Sequence, residues 1–136
     1  MLGIIHKLKI YKQNLLSINV RKLSSVKLHL LNACFASTAP PEIVPFAFPV
    51  NSGLRGSFSQ LICTVSTGET PLKIIWLHNK RPRLPKGVLT YMIGTRTSIL
   101  TISNVTLLHS GVYECIASNK VGRDRHVAEL LVKGML

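Results

Sequence analysis

Cysteine is the residue type in this sequence whose chemistry and spacing are most informative. Cys63 and Cys115 lie far apart in the chain, each within a segment where apolar and polar residues alternate, whereas Cys34 lies in the N-terminal stretch. A zinc knuckle needs its ligands in closely spaced pairs, which this spacing does not provide. We therefore predict a structural disulfide between Cys63 and Cys115. Because such a bond persists in an oxidising compartment, we expect a secreted or cell-surface protein.

Residues that could support catalysis are scattered along the chain. The sequence has no Gly-x-Ser-x-Gly motif and no glycine-rich phosphate loop, and its five acidic residues form no pair. His78, His109 and His126 belong to different segments, where we expect solvated or sheet-edge side chains rather than a shared metal site. We therefore expect a protein that is not an enzyme, with no metal, no cofactor and no small-molecule substrate.

Positive charge is spread unevenly along the sequence. The formal net charge is +12, and residues 1–39 contain six Lys/Arg and no acid, whereas residues 40–136 contain eleven Lys/Arg and five acids. Much of the excess therefore lies outside the patterned region, which argues against a nucleic-acid partner inferred from net charge alone. The remaining positive charge is compatible with binding to acidic glycans.

The segment "NKRPRLPKG", residues 79–87, carries Lys80, Arg81, Arg83 and Lys86 together with two prolines. Such a loop could bind a sulfated glycan or steer an acidic partner. Alternatively, its charges and prolines serve to prevent strand-to-strand aggregation at an exposed edge. We favour the second interpretation from the sequence.

Residues 1–39 differ from the rest of the chain and are not expected to belong to the fold. They are interpreted as a disordered or cleaved N-terminal extension: a signal peptide with Ser37 and Ala39 before the cleavage point, a mitochondrial presequence, or a leader that is not native. Cys34 falls within this extension, so we assign it no role. Residues 134–136 are expected to form a short tail.

Residues 40–133 carry the signature of an all-β domain. Short apolar runs are separated by Gly, Pro, Asn and Ser at intervals of about eight to twelve residues, the spacing of a sandwich or barrel. In "SFSQLICTV" Leu61, Cys63 and Val65 share one face, and in "GVYECIAS" Tyr113 and Cys115 do. No helix of useful length is predicted.

The combination of two cysteines, a tryptophan and a tyrosine predicts an immunoglobulin-like two-sheet β-sandwich. Cys63 and Cys115 occupy inward positions, and Trp76 follows the first cysteine on an inward position of the next strand. Tyr113 precedes the second cysteine by two residues, which suits a tyrosine corner whose hydroxyl satisfies a buried carbonyl. Leu100 is a further inward residue of the predicted core.

The segment "LTISNVTLLHSGVYECIASNKVG" resembles the intermediate set of immunoglobulin domains, with one departure, because His109 stands where that set usually has Asp. The aspartate–arginine bridge of that set is therefore not expected here. "PPEIVPFAF" and "GTRTSILTIS" are similar to the variable seventh immunoglobulin domain of arthropod Down syndrome cell adhesion molecules. The resemblance covers residues 40–133. It implies a module for homophilic adhesion, neuronal self-recognition and axon guidance, at the extracellular face of the plasma membrane as part of a longer receptor.

The resemblance also implies which surface pairs with a second copy, namely the sheet built from the first, second, fourth and fifth strands. Outward-facing apolar residues on both sheets favour contact with another domain. The positions that we predict for partner binding are Phe58, Gln60, Ile62, Thr64, Ile99 and Thr101.

Two other functions are compatible with the sequence: a secreted single-domain immune recognition factor, and a structural spacer without its own binding role.

Asn104-Val105-Thr106 is a sequon for N-glycosylation, which would mark an exposed loop in a secreted protein. The alternative is that Val105 is a core residue and the sequon arose by chance.

Overall fold

A computed structural model describes residues 39–134 of the chain. Residues 1–38 of the predicted extension, Cys34 among them, lie outside the described residues. Seven strands and one short 3-10 helix make up the described part. Their bounds are β1 Glu42–Ile43, β2 Ser59–Thr67, β3 Lys73–His78, β4 Val88–Ile93, β5 Thr97–Ile102, the 3-10 helix Leu107–His109, β6 Gly111–Ser118 and β7 Arg123–Leu130.

The strands form two antiparallel sheets. One has four strands in the order β1-β2-β5-β4, and the other has three in the order β3-β6-β7. The predicted fold class, an all-β two-sheet sandwich, is confirmed. Strand β1 is short because Pro45 follows it and cannot donate a ladder hydrogen bond. Beyond it, Phe46 and Phe48 pack on the core.

The core lies between the sheets and is supplied by alternate residues of the strands. In β2 the buried residues are Leu61, Cys63 and Val65, whereas Ile62 between them is exposed. Strand β6 contributes Tyr113, Cys115 and Ala117 in the same way. Because successive side chains of a strand point to opposite faces, each strand covers the core with one set and leaves the other set outside.

Gly111 connects the corner before β6 to the loop after β3. Its φ of +139° is a conformation that L side chains rarely adopt, and a Cβ there would collide with Asn79 and His78. This close approach lets Asn79 N–H donate to Val112 O (2.8 Å) and Val112 N–H donate to Asn79 Oδ1 (2.9 Å). The start of the loop at residues 79–87, which we call the basic loop, is thereby fixed to β6.

Candidate recognition surface

A disulfide joins the two sheets beneath their outer faces. Cys63 of β2 and Cys115 of β6 are bonded, with their Cα atoms 6.4 Å apart, and both are fully buried. Trp76 lies beside Cys115 in the β3–β6 register, and its indole N–H donates to Ser98 Oγ across the core (2.9 Å). Leu100 belongs to the same buried cluster. Both outer faces therefore rest on one cross-linked core.

The corner before β6 is built around a buried tyrosine and a buried histidine. The Tyr113 hydroxyl donates to His109 O (2.8 Å). His109 Nδ1 accepts from Thr106 N–H (2.9 Å), so Nε2 carries the proton that it donates to Lys86 O (2.8 Å). The expectation that His109 is solvated or at an edge is wrong, because it is 3% exposed. Its ring joins the 3-10 helix to the basic loop.

The outer face of the four-stranded sheet, which we call the four-stranded face, consists of three rows of side chains across β2, β5 and β4. Register partners place their side chains on the same side of a sheet. The rows are Gln60–Thr101–Leu89, Ile62–Ile99–Tyr91 and Thr64–Thr97–Ile93. None of the nine side chains is charged, and the middle row is entirely apolar or aromatic.

Ile99 differs from its neighbours in that middle row. It is 8% exposed, whereas Ile62 is 43% and Tyr91 is 50% exposed. The prediction that Ile99 offers an exposed contact is therefore wrong. The reason is strand order: β5 lies between β2 and β4, so Ile62 and Tyr91 flank Ile99 on the same face. Ile99 is therefore the covered residue of the middle row, and it lies outside the core cluster.

Of the other predicted contact positions, all but one belong to the rows of the four-stranded face. Gln60 and Thr101 are direct cross-strand partners, and Thr64 approaches Thr97 with their hydroxyl oxygens 3.3 Å apart. Phe58 precedes β2, is exposed and has no register partner.

Four further members of the four-stranded face were absent from the predicted contact set. They are Leu89, Tyr91, Ile93 and Thr97. The first three alternate along "VLTYMI", and that alternation was the available signal.

The outer face of the three-stranded sheet, the three-stranded face, carries charges among its apolar residues. Its rows are Lys73–Ser118–Arg123, Ile75–Ile116–Arg125 and Leu77–Glu114–Val127. Glu114 is buried beneath its neighbours and pairs with the exposed Arg125 (3.5 Å between Oε1 and Nη1). A partner covering this face would have to desolvate that ion pair, which costs free energy.

Outside these faces the structure bears on the predicted sequon, on metal binding and on membrane-spanning helices. Asn104 is exposed just after β5, while Val105 beside it is buried, so glycosylation of Asn104 stays a prediction. Within residues 39–134 no three potential metal ligands lie close together. In the same part of the chain, no helix is long and apolar enough to cross a membrane.

Comparison with known proteins assigns the sandwich to a family. A family model described as "Immunoglobulin domain" matches residues 40–119. The chain belongs to the immunoglobulin domain family. This family is not enzymatic, which agrees with the sequence expectation. The disulfide between facing sheets and the tyrosine corner described above are both typical of immunoglobulin sandwiches.

Within the immunoglobulin domain family, the chain is similar to cell adhesion molecules of known name. The chain is 37% identical over 95 residues to the cell adhesion molecule Dscam1 of Drosophila melanogaster, an alignment that covers 68% of this chain and 5% of that protein. A crystal structure of the Dscam1 Ig7 domain, isoform 5, is similar with a TM-score of 0.68 at 34% identity, covering 71% of this chain and all of that one.

The fold itself is shared more widely. An I-band fragment of titin is similar at 31% identity with a TM-score of 0.61, covering 71% of this chain and 33% of that one. The chain spans only about 5% of the length of Dscam1. The activity and partners of a whole receptor are therefore addressed below as proposals.

Proposed function

We propose that this domain is a recognition module for homophilic cell adhesion, acting in neuronal self-recognition and axon guidance as one domain of a longer Dscam-like receptor. Its partner is a second copy of the same or a closely related domain, bound through the four-stranded face. The similarity to proteins named as cell adhesion molecules supports the adhesive role. The disulfide supports a position on the extracellular side of the plasma membrane or in a secreted form.

The observation that carries this proposal is the uncharged middle row Ile62–Ile99–Tyr91. Pairing about a twofold axis sets a patch against its own copy, so the patch must be self-complementary. An apolar row flanked by hydroxyl and amide groups satisfies this condition, because no like charges are brought together. Burial of Ile62 and Tyr91, each about half exposed, supplies the favourable hydrophobic term.

The expected affinity of one such contact is low. Nine side chains on three strands form a small interface compared with the roughly 1,200–2,000 Å² of stable complexes. Display of many copies on one surface increases the apparent affinity without any new contact. A weak single-domain contact therefore suits a receptor that presents several domains in parallel.

A bead-clustering assay with two matched variants tests the proposal. The full chain is attached at high density to fluorescent beads, either unchanged, with Ile62→Glu or with Ile75→Glu. The two isoleucines are 43% and 39% exposed and lie mid-strand on opposite outer faces, so each variant adds one charge at an equivalent position. We expect Ile62→Glu to abolish clustering and Ile75→Glu to leave it unchanged.

The same assay distinguishes the alternative functions. Unchanged beads that never cluster would favour a spacer domain or a secreted factor with a different ligand, and would contradict homophilic binding. Equal loss in both variants would show that added charge, rather than the four-stranded face, controls clustering. Urea unfolding of both variants shows whether they are folded to the same extent.

A further inference from the structure

The loop between β3 and β4, residues 79–87, carries the densest run of basic residues in the described domain. Lys80, Arg81, Arg83 and Lys86 fall within seven residues, and the sequence has no acidic residue between Asn79 and Tyr113. The ion pair found within residues 39–134 is Glu114–Arg125. The four loop cations therefore have no carboxylate partner in that part of the chain, and their charge is available to a ligand.

This basic loop is held in place along its length. At its start, His78 and Arg81 exchange two backbone hydrogen bonds of 2.9 Å each. At its end, Val88 N–H donates to Pro85 O (3.2 Å) and His109 Nε2 donates to Lys86 O (2.8 Å). Leu84 packs on the core. Two prolines restrict φ further, so little backbone entropy remains to be lost when a ligand binds.

The fixed loop shapes a shallow groove of about 550 Å³. Arg81, Arg83 and Lys86 line it, together with His78 of β3 and Leu108 of the 3-10 helix. A loop that only prevented strand pairing would need charge and proline, but it would not need three cations gathered around one concave surface. The groove has the features of an anion-binding site, since two guanidinium groups can each make bidentate bonds to an oxyanion.

We infer that this groove binds a sulfated polysaccharide of the glycosaminoglycan class. The disulfide places the domain in an oxidising compartment, away from cytosolic nucleic acids. Residues 79–87 contain no aromatic side chain, so the loop lacks the stacking platform that single-stranded nucleic acids require. A polymer with repeated sulfate groups suits three cations without base stacking. This site lies on a loop, separate from the four-stranded face, and does not depend on the function proposed above.

Salt-dependent binding to heparin tests the inference. The groove variant of the full chain carries Arg81→Ser, Arg83→Ser and Lys86→Ser. The control variant carries Lys73→Ser, Lys120→Ser and Arg123→Ser, which remove three exposed cations at the starts of β3 and β7 and in the turn between β6 and β7. Both variants lose the same charge and both keep the basic N-terminal extension. Thermal unfolding verifies that each is folded.

On nucleic acids, each cation that neutralises a phosphate contributes roughly 0.7–0.9 units to the slope of log K against log salt concentration, and the same counterion release operates on a sulfated polyanion. We expect that slope to fall by about two to three units in the groove variant and by less than about one in the control. Equal falls in the two variants would overturn the inference, because net charge alone would then explain binding. A competition experiment supplies a second test, in which labelled heparin is displaced from the protein. The inference would also be overturned if an oligothymidine or phosphatidylserine vesicles displaced it as effectively as unlabelled heparin does.

Discussion

The two outer faces of the sandwich share one core but differ in chemistry. Ile62 and Ile75 lie mid-strand with nearly equal exposure, and the same disulfide supports both sheets. Across the sheet, Ile62 continues into Ile99 and Tyr91, whereas Ile75 continues into Ile116 and Arg125. Exposure of a single apolar residue therefore does not identify a recognition surface. The residues beside it in the neighbouring strands decide whether a partner meets an uncharged patch or an ion pair.

The largest expected effect comes from removing the support that both faces share. In the double variant Cys63→Ala, Cys115→Ala, the free energy of unfolding should fall by about 4 kcal/mol, because the cross-link closes a loop of 52 residues in the unfolded chain. Urea unfolding measures the change. Bead clustering should be lost together with folding. A domain as stable as the unchanged chain would show that the bond does not support the two faces.

A smaller effect should separate two members of the four-stranded face. Ile99→Ala should lower the free energy of unfolding by about 2 kcal/mol, because Ile99 is almost completely covered by its neighbours. Ile62→Ala should cost about 1 kcal/mol or less, because Ile62 is nearly half exposed. Chemical denaturation of both variants measures the difference. Equal losses of unfolding free energy in the two variants would mean that Ile99 is not covered by its neighbours in the middle row.

The corner before β6 should respond to alkaline pH. Burial raises the pKa of the Tyr113 hydroxyl well above its ordinary value of about 10. A group whose folded pKa is raised contributes stability that is present below pH 10 and is lost as the pH rises further. Stability should therefore fall above pH 10, by up to about 1.4 kcal/mol per pH unit.

The variant Tyr113→Phe supplies the control for this pH dependence. It loses the hydrogen bond to His109 O, which should cost about 1–2 kcal/mol at neutral pH. Its stability should then decline less steeply above pH 10 than that of the unchanged chain. Identical slopes in the two proteins would contradict the assignment of the alkaline loss to Tyr113. Urea unfolding at pH 8, 10 and 11 makes the comparison.

The smallest effect is expected on the three-stranded face itself. Arg125→Ala should lower the free energy of unfolding by less than about 0.5 kcal/mol, because the Arg125 side chain is 78% exposed and solvent screens its pairing with Glu114. Bead clustering should remain at the level of the unchanged chain. If clustering were lost, the charged face would take part in recognition, and the contrast between the two faces would no longer hold.

The parts of the fold that depend on local pattern could be predicted from the sequence. Alternation in β2 and β6 is visible in the residues themselves, and it led to the confirmed fold class and to the disulfide. A strand of period two shows its inward set without knowledge of its neighbours. Cys63, Tyr113 and Cys115 could therefore be placed correctly, with Trp76 following from its spacing.

The parts of the structure that depend on strand order and loop packing could not be predicted from the sequence. Burial of Ile99 requires the knowledge that β5 lies between β2 and β4. The contribution of Tyr91 requires its register with Ile99. Burial of His109 requires that the loop after β3 return to meet the 3-10 helix, where Lys86 O accepts the histidine proton. Each of these is a contact between residues far apart in the chain, which no local period encodes.

Concentration-dependent NMR of the ¹⁵N-labelled chain most directly tests whether the four-stranded face binds its own copy. As the protein is concentrated from micromolar to millimolar, we expect backbone amide shifts to move at Ile62, Tyr91, Ile99 and their row neighbours, while those of Ile75 and Ile116 stay constant. Shifts that moved on the three-stranded face instead, or on neither face at millimolar concentration, would contradict the claim.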